Sequence, residues 1–293
     1  MNFGRIITAM VTPFNAEGNI DQQQTEQLVD HLLSHGSDSL IITGTTGESP
    51  TLTNHEKVTF YKHVVKYVNG KIPILAGTGT NNTRESIELT IEAERIGVDG
   101  IMLVTPYYNK PSQRGLYEHF KQIAQATNLP IMLYNIPGRS AINLEIETIK
   151  QLAKIDNIVA LKDATGDLQE MTQIIAETPD SFAIYSGDDQ LTLPVLAIGG
   201  HGIVSVSAHV IGDQMQQMID HYLSGDVKRA AYIHQQLLPI MNAMFAQPSP
   251  APVKTALNMQ GVQVGPVRLP LVSLTETEQE KLRHIMTEQL MHI

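Results

Sequence analysis

The run Ile158-Val159-Ala160-Leu161-Lys162-Asp163 decides the fold. Its first four residues are apolar without alternation, the pattern of a strand covered on both faces in a buried parallel sheet. Working outward, the same kind of run recurs at residues 130–135 (PIMLYN), 100–105 (GIMLVT), 72–77 (IPILAG), 39–44 (SLIITG) and 6–11 (IITAMV) on one side, and at 182–187 (FAIYSG) and 202–207 (GIVSVS) on the other. Stretches with helical spacing lie between them. One is Ile87, Ile91, Ala93 and Ile96, stopped by Gly97; another is Leu144, Ile149, Leu152 and Ile155. Strands alternating with helices predict βαβ units and a parallel sheet. Eight runs within residues 6–207 fit a (β/α)8 TIM barrel. A doubly wound open sheet is the rival, but its phosphate loop should follow the first strand. Here that strand runs into Thr12-Pro13-Phe14, which has no glycine fingerprint.

No strand pattern returns after about residue 208. The expected organisation is therefore a catalytic barrel over 1–212 and a helical extension over 213–293. The proline cluster Gln247-Pro248-Ser249-Pro250-Ala251-Pro252 reads as a packed surface loop rather than a peptide-recognition motif. Thr275-Glu276-Thr277-Glu278 is a capping start for a helix over Thr275–Met291.

Composition removes several function classes. The chain has no cysteine, which excludes disulfides, thiol nucleophiles and cysteine-ligated zinc and fits a cytoplasmic location. The net charge is −10 with no basic cluster, a poor match to nucleic acid, whose affinity comes mostly from phosphate neutralisation. The opening MNFGRIITAMVTPF lacks a charged region followed by an apolar core, so no signal peptide is expected. No apolar run approaches the roughly 18 residues of a membrane span.

In a barrel the active site forms where the strands end. The closing residues here are Thr12, Gly44-Thr45-Thr46-Gly47-Glu48, Gly77-Thr78-Gly79, Pro106-Tyr107-Tyr108-Asn109, Tyr134-Asn135-Ile136-Pro137-Gly138-Arg139, Lys162-Asp163, Ser186-Gly187-Asp188 and Val204-Ser205. They are rich in hydroxyls and poor in metal ligands. Of twelve lysines, Lys162 alone extends an apolar strand, sharing a face with Ile158 and Ala160. Dehydration should lower its pKa and leave a neutral amine able to attack a carbonyl and form a Schiff base. The competing reading is a strand-end lysine paired with a carboxylate such as Asp163. Tyr134 could move protons beside an iminium or be a core aromatic; Thr45 and Thr46 could relay a proton or hold a carboxylate, or simply form a tight turn. Arg139 can clamp a carboxylate with two parallel bonds, or lie on the surface. His31 and His35 sit at i, i+4 spacing without the acidic partner of a zinc helix, so no metal site is expected.

Taken in order, Gly44-Thr45-Thr46-Gly47-Glu48-Ser49, Pro106-Tyr107-Tyr108-Asn109-Lys110-Pro111, Tyr134-Asn135-Ile136-Pro137-Gly138-Arg139, Leu161-Lys162-Asp163 and Ser186-Gly187-Asp188-Asp189 give the whole chain a resemblance to the dihydrodipicolinate synthase family, within the neuraminate lyase superfamily. The resemblance implies that pyruvate condenses with L-aspartate 4-semialdehyde, without a cofactor, to give 4-hydroxy-tetrahydrodipicolinate at the first committed step toward diaminopimelate and lysine. It implies Lys162 as the Schiff-base lysine, Tyr134 as proton donor and acceptor, and Thr45 and Tyr108 as its relay partners. Thr46, Gly187 and Val204 would line the pyruvate pocket, and Arg139 would bind the semialdehyde carboxylate. It also implies that Tyr108 acts in a neighbouring subunit, hence a homotetramer built as a dimer of dimers, or at least a dimer.

Ser49, Asn81, Glu85 and Tyr107 match the family's lysine-feedback pocket, but Asn54 and Lys57 stand where inhibited members carry histidines. A cationic Lys57 repels lysine, so feedback should be weak. The nearest rival function is a lyase of the same superfamily that cleaves N-acetylneuraminate or a 2-keto-3-deoxy sugar acid. Arg139 and the Tyr107-Tyr108-Asn109 triplet favour the synthase. A non-catalytic binding barrel is a further alternative, but it has no need of an amine at a dehydrated strand end.

Overall fold

A computed structural model describes residues 3–290. Its elements in chain order are β1 (Ile6–Ala9), α1 (Gln22–Ser34), β2 (Ser39–Ile42), α2 (Asn54–Val68), β3 (Ile74–Gly77), α3 (Thr83–Ile96), β4 (Gly100–Val104), α4 (Gln113–Ala124), β5 (Ile131–Asn135), α5 (Pro137–Ser140), α6 (Ile146–Leu152), β6 (Ile158–Asp163), α7 (Leu168–Glu177), β7 (Ala183–Ser186), α8 (Thr192–Ala197), β8 (Gly202–Ser205), α9 (Ala208–Leu223), α10 (Val227–Ala243), α11 (Ala251–Met259) and α12 (Glu276–Leu290). The strands follow one another in sequence order around a closed barrel. This is the expected (β/α)8 architecture with helices after it. Met1 and Asn2 of the opening segment, and Met291 at the end of the expected last helix, lie outside the described residues.

The chain divides into two compact units, Pro73–Val204 with Phe3, and Gly4–Ile72 with Ser205 onward. In the first unit, β3 to β8 pair in parallel, with Ile101 beside Ile131, Tyr134 beside Lys162 and Lys162 beside Tyr185. Every residue of β5 is buried, which is why its sequence shows no polar alternation. The helix α3 begins where Asn82 accepts from the Arg84 and Glu85 amides and ends at Gly97, whose φ of 92° favours glycine. The helix α6 is shorter than its apolar spacing predicts. Leu144 is buried ahead of it, where its amide donates to Asn135 Oδ1, and Ile155 follows its last turn. Apolar periodicity reports burial as well as helix: Leu144 fills the core from outside the helix, whereas Ile155 is only half-buried.

In the second unit, β1 pairs with β2. The helix α2 opens with a capping box in which Thr53 and Glu56 each satisfy the other's amide. Thr275 and Glu278 make the same reciprocal pair at the start of α12. The proline cluster connects α10 to α11, with Pro252 in the first turn of α11, where a missing amide costs no hydrogen bond.

Candidate active site

In the first unit, β5 and β6 set two side chains next to each other at their C-terminal ends. Tyr134 and Lys162 are register partners, and the Lys162 ammonium nitrogen lies 4.1 Å from the centre of the Tyr134 ring. Both are buried, Lys162 to 5% exposure. Burial lowers the Lys162 pKa from 10.5 to about 7; Asp189 opposes the shift and Arg139 adds to it. A large fraction of this amine is therefore uncharged near neutrality, and a neutral amine has the lone pair that attacks a carbonyl carbon. Asp163 points to the other face of the strand, as alternation requires, and its Oδ1 accepts from the Thr165 amide at 2.8 Å and the Thr165 hydroxyl at 2.6 Å. Burial pushes the Asp163 carboxyl up to about 6.

Gly187 lies against the amine. A Cβ at this position would stand 3.1 Å from Lys162 Cε and 2.8 Å from the Ala164 side chain. The loop after β7 can approach the lysine this closely only without a side chain, and the Gly187 amide donates to the Asp163 carbonyl. Val204 is buried near the end of β8. Arg139 sits exposed on the single turn α5 and bears on Lys162 through its charge. Tyr107 is half-buried, its carbonyl accepting from Asn81 Nδ2 at 3.1 Å. Tyr108 is 87% exposed with φ at 74°, an unusual conformation for an aromatic residue.

In the second unit, Thr45 and Thr46 occupy the turn after β2. The Glu48 amide donates to the Thr45 carbonyl at 3.0 Å, and the Ser49 amide to Gly44 at 3.2 Å. Thr46 is buried and Thr45 half-buried. His31 and His35 stack at 4.3 Å, and His31 Nε2 bonds the His209 carbonyl, so backbone contacts occupy this pair. Among the described residues, no helix is long and apolar enough to cross a membrane.

Sequence reasoning left Asp189 and Glu48 without roles and did not single out Lys254. Asp189 is buried, and its charge acts on Lys162 more strongly than that of Arg139 and in the opposite direction. It stood inside the Ser186–Asp189 motif without a role. Lys254 and Glu48 are a buried ion pair in the second unit, 2.8 Å apart. The helix bearing Lys254 gives no local sign that this lysine points inward.

The Dihydrodipicolinate synthetase family model matches residues 2–289. The 4-hydroxy-tetrahydrodipicolinate synthase of Oceanobacillus iheyensis is 57% identical over 288 residues, 98% of each chain. That of Bacillus subtilis is 57% identical over 289 residues, covering 98% of this chain and all of the relative. Among solved structures, a Bacillus anthracis dihydrodipicolinate synthase superposes with a TM-score of 0.97 at 55% identity, covering 98% of both chains. A lysine-bound synthase from Cyanidioschyzon merolae gives 0.96 at 46% identity, again over 98% of both chains. With matches of this length and identity, the chain belongs to the dihydrodipicolinate synthetase family.

Proposed function

We propose that the chain is a lyase of lysine and diaminopimelate biosynthesis that condenses pyruvate with L-aspartate 4-semialdehyde through a Schiff base on Lys162. The observation that carries the mechanism is the buried Lys162 amine, held near neutrality at a strand end beside Tyr134. The neutral amine attacks the keto carbon of pyruvate, and loss of water leaves a protonated imine. That cation withdraws electrons from the methyl group, which gives up a proton to become an enamine. The enamine carbon attacks the aldehyde and forms the new carbon–carbon bond. The amine of the semialdehyde then closes the ring on the imine carbon and displaces Lys162, releasing 4-hydroxy-tetrahydrodipicolinate. Every step moves protons, and a tyrosine hydroxyl is suited to carry them.

The family resemblance assigns Tyr134 to proton donation and acceptance, Thr45 and Tyr108 to its relay, Thr46, Gly187 and Val204 to the pyruvate pocket, and Arg139 to the semialdehyde carboxylate. The exposed, strained Tyr108 supports a role in a neighbouring subunit, hence a homotetramer or dimer. A cytoplasmic setting suits a chain without cysteine. Weak response to L-lysine belongs to the same proposal, on the strength of Asn54 and Lys57. A coupled assay with both substrates tests the activity. Wild type should turn over, and Lys162→Ala should lose at least about a thousandfold in kcat with its circular dichroism unchanged. An alanine variant with near-normal turnover contradicts the mechanism.

A further inference from the structure

We infer that Lys254 and Arg268 are positioning residues for the reaction, clamping Glu48 so that the Thr45–Thr46 turn keeps its active shape. The inference rests on the roles proposed above for those threonines. The turn is conformationally costly: Thr43 and Glu48, on either side of it, both adopt positive φ, 53° and 57°. A β-branched threonine in that region is a genuine outlier, so something must hold it there. Thr12 helps from below, its hydroxyl donating to the Gly47 carbonyl at 2.7 Å. Thr43 is held by its hydroxyl, which donates to Tyr61 OH at 3.0 Å, and the far side of the turn is held through the Glu48 side chain, which is fully buried. Lys254 Nζ meets one carboxylate oxygen at 2.8 Å, and the Arg268 amide donates to the other at 2.8 Å.

The clamp is itself braced. Lys254, on α11, also donates to the Pro266 carbonyl at 2.7 Å. The Arg268 guanidinium donates to the carbonyls of Gly18 and Thr51 and to the Glu56 carboxylate. Both cations lie over the Phe14 ring, at 4.2 Å and 4.3 Å from its centre. The backbone at Gly265 passes so close to the Phe14 carbonyl that a Cβ would overlap it. A buried ion pair adds little net stability over a well-packed apolar pair. What the charged pair supplies is direction: a carboxylate held through both oxygens fixes the backbone it hangs from, two residues beyond Thr46.

Lys254→Met tests the inference in the full-length protein. Pyruvate with borohydride counts competent sites by the adduct left on Lys162, and kinetics are expressed per trapped site. The expected result is a folded variant whose kcat per trapped site falls about tenfold or more while its KM for pyruvate rises. Loss of trapping in a folded variant is the extreme form of the same effect. Kinetics within twofold of wild type, with only a lower Tm, make the pair a structural brace and overturn the inference. If Lys254→Met does not fold, Lys254→Met with Glu48→Gln, which leaves no buried charge unpaired, takes its place under the same criteria. Absence of an adduct in wild type contradicts the Schiff-base reading itself, a result distinct from unchanged kinetics in the variant.

Discussion

In the proposed mechanism Lys162 trades stability for reactivity. Its pKa is depressed by burial to about 7 from 10.5, so the unfolded chain binds a proton between those values that the folded chain does not. The contribution of this group to stability is therefore present above about pH 10.5 and lost as pH falls toward 7. Lys162→Met removes the penalty, and its stability at pH 7 should exceed wild type by on the order of a few kcal/mol, read by denaturant unfolding at several pH values. A less stable variant contradicts the assignment. In the proposed mechanism the same pKa sets the acid limb of catalysis. The free-enzyme kcat/KM for pyruvate should fall about tenfold per unit below pH 7, as the amine protonates. The negative charge of Asp189 favours the protonated amine, so Asp189→Asn should move that limb to lower pH. A limb that stays in place or moves upward argues against the coupling.

At the scale of elements, β6 and the turn after β7 must meet without a side chain between them. Gly187→Ala puts a methyl group 3.1 Å from Lys162 Cε, so kcat should drop at least about tenfold for a stability loss of about 1–3 kcal/mol. Wild-type kcat in this variant contradicts the tight approach. The strands were legible in the sequence because burial on both faces writes itself as unbroken apolar runs; the run at 158–163 matches β6 residue for residue. Lys162 stood out for the same reason, as a charge where the pattern allows none. The other runs overreach at their ends, and α6 is shorter than its spacing, because apolar residues in flanking loops also fill the core. Lys254 was illegible because the partner that makes it an inward lysine, Glu48, is far away in sequence. Asp189 was hidden differently: its influence on Lys162 is a matter of distance in space, which a motif does not encode.

For the molecule as a whole, eight strands close in sequence order, and one lysine at a strand end loses its hydration. The resemblance adds Tyr108 from a neighbouring subunit, and its 87% exposure in the single chain is what such a role requires. Specific activity should then fall on dilution in step with loss of the oligomer by sedimentation; a fully active monomer contradicts that part of the proposal. The central claim is narrower and can be tested in one tube. Pyruvate is added, the mixture is reduced with borohydride, and peptides are mapped by mass. The account predicts a reduced three-carbon adduct on Lys162 and on no other lysine. An unmodified Lys162, or an adduct mapped to Lys254 instead, would contradict it.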